Sequence, residues 1–193
     1  IYRKTFNLDP SQLQLAYDSA ISKGLNPKAI IPVDLFGLPA RYRLIEKFAI
    51  EKKMFVIEDA AKGFGGTSHN HKAGMFGDVS ATSFFPAKPL GCYGDGGAIF
   101  TESDELAEKM KSIRIHGSGE DKYENIRIGL NGRLDTIQAA IVLEKLKIFN
   151  IELSKRDKIA HYYSSNIDKK YTTPFIPNDY TSSWAQYSIL VDS

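Results

Sequence analysis

The sequence predicts an α/β fold, a mainly parallel sheet flanked by helices. Three observations predict it. Short apolar runs alternate with amphipathic helical stretches along most of the chain, the pattern of a sheet covered by helices. The run Met54-Phe55-Val56-Ile57 ends in two acids and two alanines, which reads as a buried strand with acids at its carboxyl end. The 193 residues are enough for one sizeable core, and 42% hydrophobic against 25% charged residues is the balance of a globular protein.

Each element has a local reason. Pro10 to about Ile21 is a predicted helix, with Asp9 as N-cap and Pro10 at the first helical position. Ala29 to Asp34 is a short buried strand. Ala40 to Lys52 is helical, with Tyr42, Ile45 and Phe48 on one face. Met54 to Glu58 is the second strand, Val79 to Phe84 the third and Ala98 to Thr101 the fourth. Ser103 caps a helix to about Ile113, with Glu105 and Glu108 near its positive end. Leu134 to about Phe149 is a helix with Leu134, Ile137 and Ile141 on one face. A separate helix runs from about Ile151 to Ile167. Pro174 to Thr181 is a loop and marks a boundary. Residues 1–173 are expected to form one large domain, and residues 174–193 a linker and the start of a smaller one.

Composition excludes several classes of function. The net charge of +2, from 25 basic and 23 acidic residues, gives no footprint for nucleic acid or a membrane surface. No apolar run reaches the length of a membrane span. Cys92 is the single cysteine, so no intrachain disulfide is possible, and a reducing, cytoplasmic location is expected. His69-Asn70-His71 lies in a polar, glycine-bounded turn without a third ligand, so no metal site is expected. Gly63-Phe64-Gly65-Gly66 lacks the spacing of a dinucleotide fingerprint.

The chemistry concentrates at two places. Lys88 stands in Ser83-Phe84-Phe85-Pro86-Ala87-Lys88-Pro89-Leu90-Gly91, before the glycine-rich run to Gly97. Prolines stiffen this loop and glycines let its backbone approach closely, so a lysine here is suited to a cleft. A buried lysine gives up its proton readily and can form a Schiff base with a carbonyl. Asp59 closes the second strand, where open α/β sheets bind ligands. A lysine that bonds the cofactor and a carboxylate for its ring nitrogen are the two groups that pyridoxal phosphate chemistry needs.

With their neighbours these segments resemble the DegT/StrS family of pyridoxal-phosphate-dependent sugar aminotransferases, of fold type I. The matching stretches are Asp34 to Ala40, Ile57 to Ala61, Ser83 to Gly97, Arg114 to Gly117 and Asn131 to Ala140, in the family's order. The resemblance implies that pyridoxal 5'-phosphate is the cofactor, that Lys88 bonds it and shuttles the proton, and that Asp59 pairs with its ring nitrogen. It implies a phosphate contact for Ser83, and for Asn131 a phosphate contact in the neighbouring subunit of a homodimer with shared active sites. Arg133 and His116 would face the substrate. Lys62 stands where the family usually has a glutamine at the cofactor's ring hydroxyl; it would either donate there or swing away.

The implied reaction moves an amino group from an amino acid, by analogy glutamate, to the C3 ketone of a UDP-linked N-acetylhexuronic acid for surface polysaccharide. The alternatives are amination at C4 of another nucleotide sugar, and a catalytically silent truncated homologue that acts as a binding partner. The opening and closing segments resemble stretches that lie inside family members. The N-terminal part of the large domain and most of the small C-terminal domain are therefore expected to be missing from this chain.

Overall fold

Three parallel strands set the frame on which the rest is built. The computed structural model describes residues 1–121 and 123–191. Its central sheet runs in the order β1-β2-β5-β6. Strands β1 (Ala29–Ile30), β2 (Phe55–Asp59) and β5 (Val79–Ser83) are parallel, and β6 (Gly97–Phe100) is antiparallel to β5. The expected strand over Ala29–Asp34 is cut short. Pro32 has no N–H to give to a ladder, and pairing resumes only as a bridge between Val33 and Asp59.

Between β2 and β5 the chain makes a small hairpin, β3 (Thr67–Ser68) and β4 (His71–Lys72). Its two turn residues, His69 and Asn70, both have positive φ, 50° and 65°, as a two-residue turn between antiparallel strands requires. The expected turn at these histidines is therefore a tight hairpin. β7 (Tyr180–Thr181) pairs with β3 on its other side. Tyr180 and Thr181, in the stretch after Pro174, are thus paired with the hairpin.

Four helices cover the sheet. α1 (Leu13–Ser22) follows a 3-10 turn at Pro10–Gln12 capped by Asp9, which accepts from the Ser11 amide. α2 (Tyr42–Lys52) buries Tyr42, Ile45 and Ala49 against Ile30, Val56 and Phe76. Each fully buried side chain of this size contributes about 1.5–3 kcal/mol. α3 (Asp104–Arg114) is capped by Ser103, whose hydroxyl accepts from Leu106 N at 3.3 Å.

The two helices expected on either side of Asn150 are one, α4 (Thr136–Asn166), of 31 residues. Asn150 lowers helix propensity only slightly, and neither proline nor glycine interrupts the run. Asp135 caps it by accepting from Ile137 N and Gln138 N.

Strand pleating divides the sheet's two faces. Val56 and Glu58 of β2, with Ser80 and Thr82 of β5, are buried. Ile57, Asp59, Ala81 and Ser83, on the opposite face, are half-buried. A groove of about 910 Å³ lies between β6 and α3, lined by Ala81, Ile99, Met110 and Ile113 among others. It does not include Lys88 or Asp59. No helix among the described residues is long and apolar enough to cross a membrane.

Candidate active site

Asp59 and Ser83 reach the same edge of the sheet because β2 and β5 run parallel. Asp59 is in register with Ala81. Ser83 lies two residues further along β5, so its side chain projects from the same face. Asp59 Oδ1 accepts from Ala61 N at 3.0 Å. Its Oδ2 has no hydrogen-bond donor among the described residues, so one oxygen remains for an external N–H. Ser83 Oγ accepts from Phe85 N at 3.2 Å, which leaves its own O–H free to donate.

Lys88 follows five residues later on a loop that is tied at every turn. Phe84 N donates to Gly96 O at 2.7 Å, and Cys92 N donates back to Phe84 O at 2.7 Å. Lys88 N donates to Phe85 O at 2.8 Å. Phe84, Leu90 and Cys92 are buried against Val142 and Phe149 of α4. The same helix reaches the loop from above, where Lys145 Nζ donates to Gly91 O and Gln138 Oε1 accepts from Tyr93 N at 2.8 Å. A Cβ on Gly91 would sit 2.6 Å from the carbonyl oxygens of Phe85 and Pro86, so the turn closes only with glycine there. The loop is stiff, as the prolines suggested. Lys88 itself is half-buried rather than enclosed. Its amine has no hydrogen-bond or ion-pair partner among the described residues.

Lys62 is engaged within the protein rather than turned to solvent. Its ammonium is turned to the C-terminal segment, where it donates to Gln186 Oε1 and lies 5.8 Å from the centre of the Phe36 ring. The same segment is locked down by Ser183, fully buried, whose hydroxyl donates to Lys62 O and whose amide donates to Gly37 O. Trp184 Nε1 donates to Asp157 of α4 at 2.9 Å.

The remaining predicted residues form a second group. His116, at φ 58°, donates its amide to Leu130 O at 3.0 Å, and Ile115 bridges Asn131. Gly132 N donates to Arg114 O at 2.8 Å. Two segments noted separately in the sequence are thus stitched together by backbone. Arg133 Nε donates to Asn131 Oδ1 at 3.0 Å, and both side chains are exposed. No hydrogen bond among the described residues joins His116, Asn131 or Arg133 to Lys88, Asp59 or Ser83.

Behind Asp59 lies a cluster that the sequence reading missed. Asp34, Tyr42 and Glu58 are almost completely buried. Asp34 Oδ1 accepts from Tyr42 Oη at 2.8 Å and from Ala40 N at 3.0 Å. Glu58 accepts from Gly74 N at 2.9 Å and from Phe76 N at 3.0 Å. Burial, and then the charge of Glu58, push the Asp34 carboxyl well above the usual carboxylate range. Burial also raises Glu58, and it raises the Tyr42 hydroxyl far above its ordinary value. A signal for Glu58 did exist. It stands two residues after Val56 in a buried strand, so the two share a face.

The donor set fits pyridoxal phosphate. An unpartnered amine, a carboxylate with one oxygen free for a ring N–H and a hydroxyl free for a phosphate stand at or just beyond the carboxyl ends of adjacent parallel strands.

Comparison with known proteins gives the family of the chain. The model of the DegT/DnrJ/EryC1/StrS aminotransferase family matches residues 1–193. The chain is 44% identical over 191 residues to the UDP-2-acetamido-2-deoxy-3-oxo-D-glucuronate aminotransferase of Pseudomonas aeruginosa, covering 98% of this chain and 51% of that protein. A DegT DnrJ EryC1 StrS aminotransferase from Brucella abortus, known from its crystal structure, superposes with a TM-score of 0.95 at 51% identity, over 98% of this chain and 51% of that one. NtdA of Bacillus subtilis, with the cofactor PMP bound, superposes with a TM-score of 0.85 at 30% identity, over 100% of this chain and 43% of that one. The chain thus spans about half the length of the relatives it matches.

Proposed function

Because this chain belongs to the DegT/DnrJ/EryC1/StrS aminotransferase family, we propose that the whole protein is a pyridoxal-phosphate-dependent aminotransferase of nucleotide-linked sugars. The amino donor is glutamate. The acceptor is the C3 ketone of a UDP-N-acetylhexuronic acid, and the product serves surface polysaccharide synthesis in the cytoplasm. The observation that carries this reading is the 44% identity to the Pseudomonas aeruginosa 3-oxo-glucuronate aminotransferase across nearly all of the chain.

Lys88, Asp59 and Ser83 would hold the cofactor. Bound there, pyridoxal phosphate supplies a carbonyl carbon for amine exchange and a ring that accepts electrons. Asp59, with one carboxylate oxygen free, would face the ring nitrogen and hold a proton on it. Ser83 would donate its hydroxyl to the phosphate. Lys88 Nζ takes up and returns a proton in each half of the exchange, and the stiff loop limits how far it travels. Asn131 donates to the cofactor phosphate of a second copy, so the working unit is a homodimer. Arg133 and His116, on the same stitched segment, meet the acidic and phosphorylated substrate.

Incubating the whole protein with UDP-2-acetamido-2-deoxy-3-oxo-D-glucuronate and glutamate tests the reading. One 2-oxoglutarate should appear for each amino sugar formed. Turnover of a 4-keto sugar nucleotide in its place would sink the C3 assignment. Cofactor binding without turnover of any keto sugar would sink the enzymatic one.

A further inference from the structure

The buried acids Asp34 and Glu58 leave one carboxylate oxygen without a donor. Each Glu58 oxygen receives a backbone N–H. Asp34 Oδ1 receives two donors. Asp34 Oδ2 is buried and receives none. An orphaned, ionised oxygen in such a place carries the full cost of desolvation. The parallel bridge between Val33 and Asp59 turns Asp34 and Glu58 to the same buried face, but two ionised carboxylates are both acceptors and cannot bond. One proton between them removes the conflict.

Among the described residues, no cationic side chain is bonded to the pair in place of that proton. α2 contributes Tyr42, and β2 contributes Glu58 itself and Asp59. β5 contributes Ser80, whose buried hydroxyl lies beside Glu58. The loop over Oδ2 is Gly63, where a Cβ would stand 2.1 Å from that oxygen. These are acids, hydroxyls and bare backbone.

We propose that Asp34 is a neutral carboxylic acid whose Oδ2–H donates to Glu58, and that this one-proton pair positions Asp59. The connection to Asp59 is direct. Asp34 N donates to Asp59 O at 3.0 Å, and Asp59 N donates to Pro32 O at 2.9 Å. Glu58 precedes Asp59 on the same strand. The pair therefore fixes the strand end from behind, and it carries one negative charge beside Asp59 rather than two. A second charge there would add repulsion among neighbouring carboxylates at the strand end. Asp34 is a positioning residue in this scheme, acting through Asp59. That last step rests on the proposed function, whereas the shared proton does not.

Infrared difference spectroscopy of the whole protein without cofactor tests the proton first. The wild type at neutral pH should show a carboxylic-acid C=O band that Asp34→Asn lacks. Tyr42→Phe keeps the ring stacked on Phe76 at 4.3 Å but removes one donor to Oδ1, so the same band should rise in frequency. No acid band in the wild type, or a band that survives Asp34→Asn, overturns the shared proton even if the protein proves to be an aminotransferase. The positioning step is read with pyridoxal phosphate bound, from the pH at which its visible absorbance changes. Asp34→Asn, a neutral amide that can still donate to Glu58, should leave this pH in place. Asp34→Ala should move it by a tenfold change in proton affinity or more. Tyr42→Phe, the milder lesion, should move it in the same direction and gives the answer if Asp34→Ala does not fold. A midpoint unmoved in the folded variants overturns the positioning role. A wild type that binds no cofactor overturns the positioning step together with the functional reading, while the infrared result still decides the proton.

Discussion

The backbone amide of Asp34 donates to the carbonyl oxygen of Asp59 at 3.0 Å. This single bond joins a buried acid to the residue expected at the cofactor's ring nitrogen. Without a carboxylate there the ring is a poorer electron sink. Asp59→Asn should therefore cut the amine-transfer rate on the order of 10²-fold or more, with a much smaller loss of cofactor affinity. Stopped-flow absorbance and an equilibrium titration measure the two quantities separately. Equal losses in both would mean that Asp59 only supports the strand.

Lys88 should be the residue bonded to the cofactor. Borohydride reduction followed by peptide mass mapping should find the adduct on Lys88 and none on Lys62, whose ammonium is held by Gln186. Lys88→Ala should abolish turnover while the fold is retained, because no side-chain hydrogen bond of Lys88 supports the structure. An adduct on Lys62 would falsify the assignment.

Shared sites give a sharper test. Asn131 is exposed and its side-chain oxygen accepts from Arg133 beside it; the phosphate contact expected of it would be made to a second copy. Lys88→Ala and Asn131→Ala homodimers should each be inactive. Mixed subunits should recover activity, because in the heterodimer both lesions fall in one site and leave the other intact. Heterodimers that form yet stay inactive would rule the shared site out.

The buried acid also predicts a pH dependence of stability. The folded-state pKa of Asp34 is raised well above its unfolded value of about 3.9. Its stabilising contribution is therefore complete below the unfolded value and is lost as pH rises toward the folded one. Asp34→Asn removes that loss. Relative to wild type, the variant should gain stability with rising pH, by at most about 1.4 kcal/mol per pH unit across that window. Urea melts at several pH values measure the difference. Parallel curves would mean that Asp34 is ionised in the folded protein.

Much of this was legible in the sequence where the cause is local. Ser103 caps the helix it was expected to cap, and Asp9 caps the 3-10 turn that leads into α1, because a side chain two or three residues from an amide needs no tertiary help. Lys88, Asp59 and Ser83 were legible as strand-end and loop residues. Their convergence follows from the parallel pairing of β2 with β5. The pair Asp34 and Glu58 was not legible, because 24 residues separate them in the sequence and only the pairing of neighbouring segments brings them face to face. The continuity of α4 was missed for a different reason. The two expected helices meet at Asn150, and a single asparagine without glycine or proline costs too little to end a helix held at both ends.

Those two ends give α4 a mechanical role. Near its start, Gln138 and Lys145 hold the lysine loop at Tyr93 and Gly91. Near its finish, Asp157 holds Trp184, and Ser164 meets the Tyr187 hydroxyl at 2.9 Å. Gln138 and Asp157 are about 28 Å apart along a helix rising 1.5 Å per residue. A rod clamped in this way cannot tilt without breaking a bond at one end. The lever couples the loop that carries Lys88 to the segment that carries Gln186, so neither moves far while the other stays bound.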